Sequence, residues 1–400
     1  MAAVGDGFWF NINRLKKQLL TSTRIEQLRE LYPDKKNHNV VKVKNCTREE
    51  VIKKLEELTE KIIFDISRKE APFFQSNNRH TWKNITFSES VGLQMLDDVS
   101  VSRVKFDSLT SIVKFAATLQ VMSICHNLLQ ENKFATKRDV YYSDVMFYGN
   151  QSVVDEIVEN ISCMLKVPRH CLHVLATSKG LIAGDLRYRE YDGTYTDCRN
   201  QNSGVVVSSH VNGITDIYSD AKVVIVVEKE ASFQRLMNDG LLEKLKPCIV
   251  ITGKGYPDVN TRQMLHMLWT TLSIPILGLV DADPHGIEIL CVYKYGSKAL
   301  SFDACNITVP VIQWLGVLPS DIERLSISEH VRIPLSSRDR QKCQSLLERP
   351  FMKSQPSWKQ EVEIMMTKGF KAEMQALSTI STSFLTDTYV TVKIRNGRWI

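Results

Sequence analysis

Apolar positions along this 400-residue chain follow two rhythms, a helical one up to about residue 167 and a strand-helix alternation from 221 onward. Val51, Leu55, Leu58, Ile62 and Ile66 recur every three or four residues behind a Thr47/Glu50 pair that reads as a capping box, which predicts an amphipathic helix over 48–68. Its apolar stripe needs a cover, either the rest of the chain or a separate subunit. A second helical pattern runs through 104–130 (Ile112, Phe115, Ala116, Leu119, Val121, Met122), and a third follows the cap residue Thr136 over 137–148. A fourth, carrying Val153, Val154, Ile157, Ile161 and Leu165, fills 152–167 until Pro168 stops it. His173–Ala176 and Gly180–Leu186 then flank a Ser-Lys-Gly turn, a hairpin-like signal. Three helices followed by a two-stranded wing would form a winged helix-turn-helix, a DNA-docking module; a plain helical subdomain accounts for the same spacing.

The polar stretch 190–212 reads as a linker or flexible insertion. Beyond it, apolar strands 222–227, 248–252, 274–280 and about 299–303 alternate with helical segments 229–245, 258–272 and 285–296. That succession implies a mainly parallel sheet with right-handed crossovers, whose ligands gather beyond the carboxyl ends of the strands. Further helices are expected at 339–348 and 357–377, followed by an extended piece ending at Ile400. The first 46 residues, ending in a lysine-rich stretch from Lys35, read as a poorly ordered arm.

A hydrophobic content of 43% is enough to bury substantial cores in two or three domains. The net charge of +6 permits a polyanionic partner without requiring one. Nine cysteines, an odd number with no CxxC pair, suggest a reduced intracellular chain rather than a disulfide framework. No signal-peptide pattern opens the chain, and no apolar run approaches the roughly 20 residues of a membrane span, so no membrane partner is expected.

Acidic residues stand where a parallel sheet collects ligands: Glu228 directly after 222–227, and Asp281 with Asp283 after 274–280. Carboxylates without accompanying histidine or thiolate favour a hard cation, Mg²⁺ rather than zinc. Glu230 is a possible substitute ligand two residues on. Acidic residues also begin helices because the helix dipole favours them, which explains one cluster more easily than two. Upstream, the basic and aromatic run Thr136–Asp144 offers a nucleophile. Tyrosine needs help, since a phenol of pKa about 10 is barely ionised at neutral pH. On a helix from 137 to 148, Tyr141 shares a packing stripe with Val145 and Tyr148, whereas Tyr142 shares its face with Arg138, whose guanidinium would steady phenolate or phosphorane charge. Lys179 and Arg187 are candidate phosphate-backbone contacts or solvated surface charges. Gly253-Lys254-Gly255 lacks the GxxxxGK[ST] pattern of a nucleotide-binding P-loop.

Several segments, KRDVYYSDVMFYGNQ from Lys137, TSKGLIAGDLRY from Thr177, VVEKEASFQRL from Val226, ITGKGYPD from Ile251 and LVDADPHGIEILCVYKYGS from Leu279, resemble the meiotic double-strand-break transesterases, eukaryotic relatives of the A subunit of archaeal topoisomerase VI. The likeness runs from about residue 70 to the C-terminus. It implies an α/β multidomain protein, with a winged-helix (CAP-like) DNA-binding domain over 101–205 and a Toprim domain with a mainly parallel sheet over 206–400. Residues 47–100 would be an N-terminal helical region docking a topoisomerase VI B-like subunit, and 1–46 an arm. The family's nucleophile falls on Tyr142 and its Mg²⁺ ligands on Glu228, Asp281 and Asp283. The resemblance further implies a nuclear protein that acts on double-stranded DNA as a homodimer. Each half-site would join one protomer's tyrosine to the other's carboxylates, leaving 5′-phosphotyrosyl ends. Two competing functions stay open: the A subunit of a decatenating topoisomerase VI, and a non-catalytic DNA-end-binding scaffold.

Overall fold

The computed structural model describes residues 7–31, 39–97, 99–107, 109, 111–201 and 203–400. A helical layer comes first. Helices α1 (Phe10–Leu31) and α2 (Arg48–Ser67) precede α3 (Ile112–Glu131), α4 (Lys137–Ser143), α5 (Val145–Tyr148) and α6 (Gln151–Leu165). The capping box expected at Thr47 and Glu50 opens α2, and Val51, Leu55 and Ile62 pack against Phe115, Val121, Cys125, Ile157 and Ile161. Much of the α2 stripe is thus covered by the chain itself, while Ile63, Phe64 and Ile66 remain exposed.

The second layer is a six-stranded sheet. Its strands are β1 (Leu181–Gly184), β2 (Val205–Val206), β3 (Val224–Val227), β4 (Ile249–Thr252), β5 (Ile276–Leu279) and β6 (Gln313–Gly316), in the order β2-β1-β4-β3-β5-β6. The last four pair in parallel, and β1 is antiparallel to both β4 and β2. Alternate residues supply opposite cores: Val224, Val226, Ile249 and Ile276 face one, and Ile225, Val227, Val250 and Leu277 the other. Burial on both faces is why these strands read as unbroken apolar runs. Helices α7 (Glu230–Asn238), α8 (Val259–Leu272) and α9 (Pro284–Tyr295) make the crossovers, and α10 (Ser337–Leu347), α11 (Pro356–Lys368) and α12 (Thr391–Asn396) follow the sheet.

Several expectations need correction. Residues 1–6 and 32–38 lie outside the described residues, but the rest of the expected arm includes α1, whose base buries Phe8, Trp9, Ile12 and Leu15 on the sheet core, with Asn11 Nδ2 donating to the Arg395 carbonyl at 2.6 Å. The region 47–100 is not wholly helical, since it holds the strands Phe73–Asn77, Ile85–Ser88 and Gly92–Met95. The helix expected from 104 starts at Ile112, because Val101–Lys105 pairs with Phe73–Asn77. That helix, 20 residues long, also passes the length and composition test for a membrane span, contrary to the sequence expectation; in the fold it lies in the helical core through Phe115, Val121, Cys125 and Leu129.

The wing hairpin does not form: Val174–Leu175 pairs in parallel with Ala135–Thr136, whereas β1 joins the large sheet. The presumed linker 190–212 supplies β2 and a strand at Tyr195–Asp197, so the boundary expected at 205/206 falls inside the sheet. Lys298–Asp303 is a 3₁₀ helix that buries Phe302 beside Val41, Met95 and Cys163, and the fourth parallel strand is β6. The segment 229–245 breaks after α7, where Gly240 takes a φ of 75°. The helix expected to reach 377 stops at Lys368 because Gly369 is left-handed at φ 75°. Leu385–Asn396 is helical; only the last residues are extended, with Ile400 and Trp314 exchanging backbone hydrogen bonds.

Candidate active site and nucleic-acid interface

Helix α4 is tied down at its start. Thr136 Oγ1 accepts from the Asp139 amide, and Asp139 Oδ2 accepts from the Thr136 amide at 2.7 Å. The expected single helix over 137–148 is broken at Asp144, whose backbone leaves the helical region (φ −158°, ψ 78°) while its carboxylate caps α5 through the Phe147 amide. Val140 and Tyr148 are buried, and Tyr141 packs on the helical core. Tyr142, in the last turn of α4, is 64% exposed. Arg138, one turn earlier, is also exposed and forms no ion pair or hydrogen bond among the described residues. One helix thus buries one tyrosine's neighbourhood and presents the next tyrosine to solvent.

The acidic residues meet because β3 and β5 are parallel neighbours with Val227 opposite Leu279, which brings their carboxyl ends together. Glu228 Oε2 accepts from the Asp281 amide at 2.8 Å. Asp281 Oδ1 accepts from the Met374 amide at 2.9 Å, and its Oδ2 is ion-paired with Lys229 Nζ at 2.7 Å. Asp283 caps α9, its Oδ1 accepting from Gly286 at 2.6 Å with Pro284 in the first turn. Glu228 and Asp281 are buried. Burial, then the Asp281 and Asp283 charges, push the Glu228 carboxyl up to about 8. Burial also raises Asp281, against the opposing pull of Lys229. At Gly286 an added Cβ would lie 2.8 Å from Glu228 Oε2, so only glycine leaves room for the carboxylate.

Hard-cation chemistry suits this donor set: oxygen ligands only, two of them buried, with mutual repulsion that a divalent ion would relieve. Among the described residues, no three acidic, histidine or cysteine groups are already gathered tightly enough to hold an ion as they stand. Two causes are visible. The Lys229 ammonium covers the outer oxygen of Asp281, and the Asp283 carboxylate is engaged at its helix.

The other candidates separate. Lys179 lies against the sheet domain, its amide on Asp258 Oδ2 at 2.8 Å and its Nζ 3.4 Å from the Lys254 carbonyl. The Lys254 loop itself borders the acidic residues, since the Gly255 amide donates to the Glu228 carbonyl at 2.8 Å. Arg187 belongs to a separate three-stranded sheet and stacks over Tyr218. No hydrogen bond, ion pair or ring contact joins Tyr142 to the carboxylates of the same chain among the described residues. Lys229, Glu373 and the Met374 amide were missed. Lys229 is legible as the neighbour of Glu228, but nothing local signals that Glu373 reaches Lys229 Nζ at 3.0 Å or that the Met374 amide reaches Asp281.

Paired acidic strand ends in a doubly covered parallel sheet, beside a helical layer that presents a tyrosine, form the layout of a topoisomerase-like protein. Residues 223–394 match the family model for the Toprim domain of topoisomerase 6 A-subunit/Spo11 proteins, and residues 113–174 match "Type IIB DNA topoisomerase". The chain is 50% identical over 351 residues to "Meiotic recombination protein SPO11" of Homo sapiens, covering 88% of this chain and 89% of that one. Its mouse counterpart, from Mus musculus, is 48% identical over the same shares. The A subunit of DNA topoisomerase 6 from Arabidopsis thaliana is 36% identical over 76% of this chain and 71% of its own length. The chain belongs to the topoisomerase 6 A-subunit/Spo11 family. Its 223–394 region is a Toprim domain, a class that generally binds divalent metal.

Proposed function

We propose that this chain is the topoisomerase-like transesterase that makes the DNA double-strand breaks initiating meiotic recombination. Family membership and the identity to the SPO11 proteins support the reading at the level of activity. The exposed phenol of Tyr142, on a helix capped at its start and packed by its neighbours, is the observation that carries the chemistry. The Tyr142 hydroxyl loses its proton as its oxygen attacks the phosphodiester phosphorus. The bond to the 3′-oxygen breaks, that oxygen takes up a proton, and a 5′-phosphotyrosyl link remains. Bond energy is conserved, so the step consumes no nucleotide. Arg138, one turn before Tyr142 on the exposed face, supplies positive charge to the phosphorane.

Glu228, Asp281 and Asp283 would hold Mg²⁺, which when bound offsets phosphate charge and orients the DNA near the break. In its absence Lys229 neutralises Asp281, and Gly286 keeps Glu228 uncrowded. Lys179, whose Nζ lies 3.4 Å from the Lys254 carbonyl, and Arg187 contact the phosphate backbone, and the helical layer over 112–174 acts as a winged-helix-like DNA-binding module without a hairpin wing. As its family resemblance implies, the chain acts as a homodimer in which each half-site takes its tyrosine from one protomer and its carboxylates from the other; the exposed Tyr142 is accessible to such a partner. Exposed Ile63, Phe64 and Ile66 at the end of α2 suit the docking of a topoisomerase VI B-like subunit. The place of action is the nucleus.

The test is covalent-complex formation with labelled duplex DNA and Mg²⁺, using the chain reconstituted with its B-type partner. Tyr142→Phe should eliminate the complex while leaving DNA binding and melting temperature unchanged. A complex that persists in the variant would refute the assignment. Relaxation of supercoiled DNA with religation would instead favour the A subunit of a topoisomerase VI, the function named for the Arabidopsis relative.

A further inference from the structure

Between the layer that carries Tyr142 and the sheet lies a line of buried charges that the chemistry above does not use. Glu159, on α6, is nearly enclosed, its side chain 13% exposed. Its Oε1 accepts from Lys137 Nζ at 3.0 Å and from Arg169 Nη1 at 3.4 Å. Lys137 is the first residue of α4, the tyrosine helix. Arg169, itself buried, extends its Nη2 to Asn260 Oδ1 at 3.4 Å. Asn260 sits buried in the first turn of α8, and its Nδ2 donates to the Ala176 carbonyl at 2.7 Å. Helix α8 leads directly into β5, whose end bears Asp281. A second tie runs alongside: Arg79 forks onto Asn160 Oδ1 and donates to the Ala299 carbonyl at 2.9 Å.

Burial alone would favour a proton on Glu159, but Lys137 and Arg169 outweigh it and hold the carboxyl below its ordinary range. A charged carboxylate held between two cations in a poorly solvated seam is directional and stiff. Removing Glu159 leaves Arg169 without its carboxylate and Lys137 with only the longer pair to Asp155 at 3.7 Å. Ordinary surface pairs do not behave this way.

We infer that Glu159 is a positioning residue for DNA cleavage: through Lys137 it fixes the tyrosine helix, and through Arg169 and Asn260 it fixes the sheet layer. Tyr142 and the acidic strand ends of one chain then move as a single body when two protomers close on DNA. The inference rests on Tyr142 being the nucleophile. Its leverage comes from geometry, since a displacement of about 1 Å at a reacting atom can cost roughly 100-fold in rate.

The experiment uses the full chain reconstituted with its B-type partner, duplex DNA and Mg²⁺. It measures the single-turnover rate of covalent-complex formation, DNA affinity and melting temperature. Spin labels introduced as unnatural amino acids at Met146 and Glu243 spare the nine cysteines and report the distance between the layers. Glu159→Gln should slow covalent-complex formation by about 10- to 100-fold, with DNA affinity unchanged and a broadened label distance. Lys137→Arg, which keeps a cation on the tyrosine helix within reach of Glu159, should retain most of the rate, whereas Lys137→Met should not. If Glu159→Gln fails to fold, Lys137→Met carries the same test, because it removes only the cation on the tyrosine helix. Wild-type rates and distances in Glu159→Gln and Lys137→Met, or losses that merely track melting temperature with Lys137→Arg as slow as Lys137→Met, would overturn the inference. Complex formation by Tyr142→Phe would instead overturn the nucleophile, and the label distances would still decide whether Glu159 couples the layers.

Discussion

Replacing Lys393 or Asp321 singly should damage the fold far more than replacing them together, and the damage should reach the carboxylate site. Lys393, on α12, buries its ammonium 2.5 Å from Asp321 Oδ2 and 2.7 Å from the Leu315 carbonyl. The Tyr389 hydroxyl donates to the same carboxylate oxygen, and Arg324, much more exposed, binds the other one. This pin backs β6: the Tyr389 ring leaves no room for a side chain at Gly316, whose carbonyl accepts from the Val280 amide at 2.7 Å, one residue before Asp281.

Breaking a buried pair costs about 3–5 kcal/mol, whereas replacing both members with apolar groups is often near neutral. Lys393→Met should fall at the low end, because Arg324 still compensates Asp321. Asp321→Leu should fall at the high end, because it strands the Lys393 ammonium among neutral oxygens. At about 2–4 °C per kcal/mol for a unit of this size, melting should drop by roughly 6–20 °C. The double variant Lys393→Met/Asp321→Leu should recover most of the loss. The Asp321 carboxyl lies below its ordinary range because Lys393, the Tyr389 hydroxyl and Arg324 outweigh burial. A depressed carboxyl adds stability that is complete above its unfolded pKa near 4 and is lost as pH falls further, so the wild type should lose this advantage over the double variant below about pH 4. Denaturant unfolding of all four proteins measures the cycle. Single variants that each cost under about 1 kcal/mol, or costs that simply add, would show that the pair is not a buried unit.

Trp9→Ala should cost about 3–5 kcal/mol, since Trp9 is 1% exposed in the sheet core, and limited proteolysis should then release the N-terminal segment while the sheet stays protected. Unchanged proteolysis would mean that α1 is not held by this contact. Gly286→Ala should abolish cleavage and weaken divalent-metal binding, measured by calorimetry, without reducing DNA affinity. Its Cβ would meet Glu228 Oε2 and the Asp281 carbonyl, at 2.8 and 2.6 Å; wild-type metal affinity in the variant would refute the crowding argument.

The candidate site residues share one property: each sits at the end of an element whose periodicity is unmistakable. Glu228 and Asp281 follow strands buried on both faces, so apolar runs marked their places and the parallel register then brought them together. Helical phase and the family resemblance both separate Tyr142 from Tyr141, and the packed Tyr141 and exposed Tyr142 agree with that separation even though the helix breaks at Asp144. The break was hidden because Tyr141, Val145 and Tyr148 keep a helical spacing across it, while the aspartate that ends one helix caps the next.

What failed was decided by contacts distant in sequence. The Ser-Lys-Gly turn is a sound local hairpin signal, yet β1 gains full pairing against β4 on one side and β2 on the other, and that outweighs a two-stranded wing. Val205–Val206 is too short to show any period, and the apolar residues around Phe302 suit a strand or a helical turn equally until Val41 and Met95 supply their cover. The partners of Asp281 show the same division within the site. Lys229 is adjacent in sequence to the Glu228 carboxylate, whereas the Met374 amide arrives from 93 residues away through the Ala282–Ala372 bridge. Local pattern therefore marks the candidate tyrosine and carboxylates, and tertiary contacts from the C-terminal segment and from α6 hold them in place. For that reason Glu159 and Lys393, neither of which reading by motif would select, are the residues where mutation best separates position from chemistry.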